Sequence, residues 1–178
     1  GRLNSSGQQG QHNSACHGQN HCQSQEPEIL TDRASIERRL VDKYKGFGWS
    51  LWNKLYRAEL LKDIRFDESL HICEDLRFNA EAVARASSLS LRKDRLYLYN
   101  TGSEGLSKVP DTGHYVAAAA AIDHTLPLLT DREAADRLRA EGLAQLLMGA
   151  ETALLTGRQT ELSDIRKLCQ GRASKAAE

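Results

Sequence analysis

What the chain lacks narrows its function first. Neither sign of charge is in excess, since 24 lysines and arginines stand against 24 aspartates and glutamates. Without a basic surplus there is little to neutralise a phosphate backbone, which argues against nucleic acid as a partner. No apolar run approaches the roughly 20 residues that cross a bilayer. The longest candidate, 115–122, is short and mostly alanine. No secretory signal is visible at the start. Cysteine is sparse: Cys16, Cys22, Cys73 and Cys169 are too scattered for a disulfide framework, and a reducing cytoplasm is the expected compartment. Methionine occurs once, at Met148, and the first residue is Gly1. A fragment or processed product is therefore expected. The 178 residues suffice for one ordinary domain with its own core.

What is present falls into three parts. Residues 1–27 are rich in Gln, Asn, Gly, Ser and His, and Leu3 is their only large aliphatic side chain. Such a segment buries too little apolar surface to offset its ordering entropy, so a low-complexity, disordered arm is expected. Inside it, His12, Cys16, His17, His21 and Cys22 offer imidazole and thiol groups that zinc favours. Yet Cys16–His17 and His21–Cys22 are adjacent pairs, without the intervening residues usual between ligands. Loose metal binding by the arm is the plainer reading.

From Glu28 the pattern turns globular. Thr31 or Asp32 can cap a helix carrying Ile36, Leu40 and Tyr44, with Gly46 and Gly48 beyond it as stops. Trp49, Leu51 and Trp52 read as a short extended stretch, 57–62 as a helical turn and 66–69 as a loop. A helix is predicted from Glu74 to about Ala86, with Leu76, Ala80 and Val83 on one stripe and Glu81 spaced to pair with Arg85. Strands are predicted at 88–92 and 96–99. From Asp111 the chain reads as helical. Pro127 limits the first helix, and Thr130 with Glu133 forms a capping box for the second, which ends at Gly157. A last helix carries Leu162, Ile165 and Leu168 and stops near Gly171. These helices are expected to pack on one another and on the sheet.

The chemistry concentrates in 48–79, GWSLWNKLYRAELLKDIRFDESLHICEDLRFN. A carboxylate in the first turn of a helix meets free N–H groups and the positive end of the macrodipole. Held ionised at a cleft edge, Glu74 or Asp75 could act as a general base. Acidic residues also stand at such positions simply to complement the helix end. Trp49, Trp52 and Tyr56 offer ring faces that suit sugar C–H surfaces or an ordinary core. Lys54 could reach a diphosphate, or pair with Asp67 or Glu68.

The order of these blocks carries more than any one of them. Trp52-Asn53-Lys54-Leu55-Tyr56-Arg57, Glu59-Leu60-Leu61, Phe66-Asp67, Glu74-Asp75 with Phe78-Asn79, Leu96-Tyr97-Leu98-Tyr99 and Gly102 to Ser107 follow one another. This succession resembles the acceptor-side half of bacterial family-2 glycosyltransferases of the GT-A fold, the kind that builds capsule, exopolysaccharide and lipopolysaccharide. The resemblance covers roughly 30–107. It implies an α/β fold class: a partial GT-A domain with few strands over 28–110, followed by a helical C-terminal extension over 111–178. It also implies inverting transfer from a nucleotide sugar, usually a UDP-sugar, to a glycan or lipid-linked acceptor in cell-surface polysaccharide synthesis. Asp75 would be the base, with Glu74, Trp52, Asn53, Lys54 and Ser107 as substrate-binding residues. The implied place is the cytoplasm, with peripheral association at the inner membrane face as an option.

The resemblance also implies a divalent cation, Mg or Mn, on an Asp-x-Asp motif. No two aspartates here stand at that spacing, so no metal ligand is assigned. Asn100, Thr101 and Gly102 occupy positions where a basic residue is frequent in the family. The chain alone is expected not to bind a nucleotide sugar with normal affinity. Two other readings stay open: a non-catalytic remnant or helical interaction module, and a metal-binding role for the His/Cys arm.

Overall fold

Asp32 starts the first ordered helix as a side-chain cap: its carboxylate accepts the Ser35 N–H at 2.8 Å, which satisfies an orphan donor and lowers its pKa. The helix that follows, α1 (Arg33–Val41), buries Ile36, Leu40 and Val41 on one side. The structure is a computed structural model that describes residues 26–42, 48–94, 97–98 and 111–176. Tyr44, Gly46 and the arm with its His and Cys residues lie outside the described residues. Before α1 runs a strand, β1 (Glu28–Leu30). After it come α2 (Ala58–Leu61), α3 (Glu74–Arg85) and β2 (Leu89–Leu91). The chain ends in α4 (Thr112–Thr125), a 3-10 turn (Leu126–Leu128), α5 (Arg132–Leu155) and α6 (Gln159–Ala176).

The described residues are thus mostly helical, with a two-stranded antiparallel sheet among them. Leu30 stands opposite Leu89, Ile29 opposite Ser90 and Glu28 opposite Leu91. Strand alternation sends Leu30, Leu89 and Leu91 against Ile36, Leu40, Ala80 and Val83, while Ile29 and Ser90 face outward. The strand predicted at 96–99 is described only at Tyr97 and Leu98, which carry no strand. The stretch at Trp49–Trp52 is bent and turned rather than extended; the Lys54 N–H closes on the Leu51 carbonyl at 3.0 Å.

A second apolar cluster joins Val41 of α1, Leu76 of α3, Ile122 of α4 and Ala134 and Leu138 of α5. A third joins Ala119, Leu146 and Ile165 from α4, α5 and α6. Two glycines let α5 come close to its neighbours. A Cβ on Gly142 would stand 3.2 Å from Ile122, and one on Gly149 would stand 3.1 Å from Tyr115 and 3.3 Å from Ile165. At the end of α5, Gly157 adopts φ +71°. The Arg158 N–H reaches the Ala153 carbonyl and the Gly157 N–H the Leu154 carbonyl, the paired bonds of a Schellman stop.

Three local expectations change. Asp131, not Thr130, caps α5, accepting the Ala134 N–H at 2.9 Å. The Thr130 hydroxyl goes instead to Glu37, a carboxylate from another element that a local pattern cannot reveal. Glu81 pairs with Arg77 at 3.0 Å rather than with Arg85; Arg77 also donates to the His124 carbonyl at the end of α4. The last helix passes through Gly171 to Ala176; a lone helical glycine costs only about 1 kcal/mol against alanine, which continuing turns absorb. Among the described residues no helix is long and apolar enough to cross a membrane.

Candidate functional site

The segment 48–56 is strapped over the first turns of α3, and one buried side chain holds the strap. Asn79 is fully buried on α3. Its amide nitrogen donates to the Trp49 carbonyl at 2.5 Å and to the Asp75 carbonyl at 2.8 Å. Its amide oxygen accepts the Tyr56 hydroxyl at 2.5 Å. Both ends of the strap are therefore pinned to one residue, and its middle arches across the start of the helix. Phe78, the neighbour of Asn79, stacks on Phe66 with ring centroids 4.7 Å apart. Tyr56 meets the same Phe78 edge-on at 6.0 Å. These contacts lock the 66–69 loop and the strap to the same helix.

The strap brings three of the expected residues to one place. Asp75 Oδ2 accepts the Leu51 N–H at 3.2 Å. Lys54 lies close enough for its charge to favour ionised Asp75, and its ammonium donates to the Ser50 carbonyl and to Asn53 Oδ1. Trp52, next along the strap from Leu51, remains 46% exposed. Asn53 is exposed and Glu74 half-buried. Trp49, partly buried, packs against the second apolar cluster. The pairing of Lys54 with Asp67 is not formed: Asp67 accepts instead from the Ser69 N–H and hydroxyl. Ser107 and its loop lie outside the described residues.

The electrostatics separate Asp75 from an ordinary capping acid. Burial pushes its pKa above the usual value of 3.8, the Leu51 N–H pulls it down, the neighbouring Glu74 charge pushes it up, and Lys54 pulls it down. Burial wins. Lys54 is lowered to about 8, also by burial, with Asp75 opposing. Burial and the Asp75 charge push the Tyr56 hydroxyl up, so it stays a proton donor to Asn79. Acid and base are thus each held in an environment that disfavours their charge, a condition found at functional sites more often than elsewhere. Glu37 makes the contrast. It is fully buried, yet Arg33, the Thr130 N–H and hydroxyl and the Asp131 N–H all donate to it. Although burial is the largest effect and raises it, these donors together bring its pKa down. That is the signature of a carboxylate serving the fold.

The helix leading from the site begins under strain. Cys73 precedes Glu74 in the left-handed region, at φ 58°, and is the one non-glycine residue with positive φ among the described residues. Nothing in the sequence marked it. Asn79 was also legible only as part of a motif, although a polar residue three positions after Leu76, on the buried stripe, was a usable signal. Among the described residues no group of three or more His, Cys, Asp or Glu side chains could hold a metal ion.

Fold and site together define a helical protein with a small sheet and a strapped, partly buried carboxylate–lysine pair beside an exposed tryptophan. Comparison with curated proteins adds a distant similarity. The chain is 28% identical over 91 residues to a Bacillus subtilis (strain 168) protein described as the uncharacterized glycosyltransferase EpsJ. The match takes in 47% of this chain and 26% of that protein. The chain therefore spans about a quarter of the length of the curated relative it matches, and the relationship to a glycosyltransferase is distant. No protein-family model matches. No solved structure matches.

Proposed function

We propose that this chain is the acceptor-side part of an inverting glycosyltransferase of the family-2, GT-A kind, and that Asp75 is its general base. Asp75 takes the proton of an acceptor hydroxyl as that oxygen attacks the anomeric carbon of a nucleotide sugar, in this reading a UDP-sugar. The nucleoside diphosphate leaves on the opposite face. Inversion thus separates the base from whatever neutralises the diphosphate, and a divalent cation, Mg or Mn, belongs with the donor-binding part of the intact enzyme. The acceptor is a glycan or lipid-linked sugar of a cell-surface polysaccharide, met at the cytoplasmic face of the membrane.

The observation that carries this reading is the setting of Asp75. It is bonded through one oxygen to the Leu51 N–H, raised in pKa and faced by Lys54. An aspartate with raised pKa is a stronger base than a free one. The motif order around it and the distant glycosyltransferase match support the same class. The test joins the chain to a nucleotide-sugar-binding half and measures transfer. Asp75→Asn is expected to lower kcat by roughly a hundredfold or more with little change in donor KM. Undiminished turnover removes the assignment.

One observation favours a second reading, a helical interaction module. α5 leaves Leu143, Leu147, Met148, Leu154 and Leu155 exposed. If the joined protein binds UDP with manganese by calorimetry yet transfers nothing, that reading replaces the first.

A further inference from the structure

One peptide plane stands between the two charged groups of the site. The Ser50 carbonyl and the Leu51 N–H are the two ends of a single rigid amide. Lys54 donates to its carbonyl end, and its N–H end donates to Asp75 Oδ2 at 3.2 Å. The negative end of the amide thus faces an ammonium and its positive end a carboxylate, so both charges grip the plane favourably. The strap takes one oxygen of Asp75, and among the described residues no donor reaches the other, Oδ1.

The residue that fixes this plane touches neither charge. Asn79 lies one helical turn beyond Asp75 on α3 and is fully buried. A primary amide offers two N–H donors and one acceptor oxygen, and here each is used. The donors go to the Trp49 carbonyl at 2.5 Å and to the main-chain carbonyl of Asp75 at 2.8 Å. The oxygen accepts the Tyr56 hydroxyl at 2.5 Å. Ser50 alone separates the held Trp49 carbonyl from the Leu51 N–H. One buried amide therefore ties the backbone from which Asp75 projects to the backbone that bonds its side chain. An aspartate in its place would lack the N–H groups, and an apolar side chain would leave the Trp49 carbonyl and the Tyr56 hydroxyl without this partner.

We propose that Asn79 is a positioning residue for the transfer: it sets the Leu51 N–H against one oxygen of Asp75 and so leaves the other aimed at the acceptor hydroxyl. This deepens the reading of Asp75 as base and rests on it for the word transfer. The tie itself is tested without any transfer, by NMR titration of the isotope-labelled full chain through the carboxylate range, with Asp75→Asn identifying the carboxyl signal. The charges acting on Asp75 are Glu74 on its own helix and Lys54 on the strap, with the Tyr56 hydroxyl near it; Glu74 and Lys54 stay in place throughout. In the parent the Leu51 amide signal follows the ionisation of Asp75. In Asn79→Ala it stops following, and Asp75 titrates at higher pH, because the N–H that lowers its pKa is no longer held there. Tyr56→Phe keeps the ring, takes the hydroxyl from Asn79 and moves both signals the same way by less; it carries the test where Asn79→Ala does not fold. Val83→Ala removes buried methyl groups from the same helix and leaves both signals as in the parent. In the joined enzyme, Asn79→Ala lowers kcat roughly tenfold or more with donor KM kept.

Four results overturn the proposal. They are a parent Leu51 amide indifferent to Asp75, an amide that follows Asp75 unchanged in the decisive variant, equal uncoupling by Val83→Ala, and undiminished kcat in an uncoupled Asn79→Ala. Full transfer by Asp75→Asn is a separate failure: it removes the base and leaves the measured tie between Asn79 and Asp75 intact.

Discussion

Two carboxylates, Asp75 and Glu37, show what a single residue can disclose. The pKa of Glu37 is lowered on folding. Its contribution to stability is present above its unfolded value, near 4.5, and is lost as pH falls through the folded value. The pKa of Asp75 is raised, so folding takes up a proton and stability falls as pH rises from about 3.8 through the folded value. Opposite substitution effects follow. Glu37→Gln turns an amide N–H₂ toward two of the four inward-pointing donors and should cost about 3 kcal/mol. Asp75→Asn removes a charge its site disfavours, so its urea midpoint at neutral pH should be no lower than the parent's. The difference between Asp75→Asn and the parent should shrink on acidification, as Asp75 protonates. A marked loss of stability in Asp75→Asn would make Asp75 a structural cap, the plainer of its two sequence readings. The same sign governs activity in the joined enzyme. Lys54 lowers the pKa of Asp75, so Lys54→Met should move the acid limb of the kcat profile to higher pH.

At the scale of elements, α5 is held at its closest approaches by glycine, which an apolar-periodicity reading treats as a gap. Gly149→Ala gains about 1 kcal/mol of helix propensity, against Cβ contacts of 3.1 Å to Tyr115 and 3.3 Å to Ile165. Those two side chains must yield by a few tenths of an ångström, and the balance should lie near zero. Gly149→Val adds two methyl groups with no room for them and should destabilise by about 1–3 kcal/mol, read from chemical denaturation. Equal stability of the two variants would mean that α4 and α6 stand off further than described. Much of this layer was legible. The stripe Leu76, Ala80, Val83 placed α3, the Ser88–Arg92 alternation placed β2, and Gly157 marked the end of α5, because each signal lies within one turn or one strand. What escaped depends on partners distant in sequence. Thr130 serves Glu37 from 93 positions away, Arg77 reaches His124, and Asn79 gathers a strap that begins thirty residues earlier. Of the site, the local grouping of Trp52, Lys54 and Asp75 could be read from motif order. The stack of Trp52 on Tyr97 and the strain at Cys73 could not, since neither follows from composition or period.

For the whole molecule, the question is which helices the site needs in order to exist. α3 carries Asp75 and Asn79, and its buried side is shared out. Ala80 and Val83 lie against Leu128 and Leu129 as well as α1, and Leu76 lies with Ile122, Ala134 and Leu138. Arg33 adds a polar tie, donating to the Val83 carbonyl at 2.8 Å and to the Leu128 carbonyl at 3.0 Å. Among the described residues, α6 meets this assembly through the third cluster, with Ile165 as its buried side chain, and through Arg172 paired to Asp123. Two truncations should therefore behave differently. Ending the chain before Gln159 uncovers Ala119 and Leu146 and loses one large buried side chain, about 2–3 kcal/mol with the methylenes around it. The first two clusters, and the strap on α3, should survive with a lowered denaturation midpoint. Ending the chain before Asp111 removes Ile122, Leu138, Ala134 and the Arg33 tie to the Leu128 carbonyl at once. At about 1.5–3 kcal/mol for each large apolar side chain, with Glu37 left buried beside Arg33 and stripped of its three α5-side donors, the loss matches the 5–15 kcal/mol that holds a domain of this size together. That shorter piece should show no cooperative unfolding transition, and the emission of Trp49 should sit at the wavelength of a solvated indole without denaturant. A cooperative transition in the shorter piece, with Trp49 still shielded, would mean that 26–110 builds its own core and that α4 and α5 do not support the site.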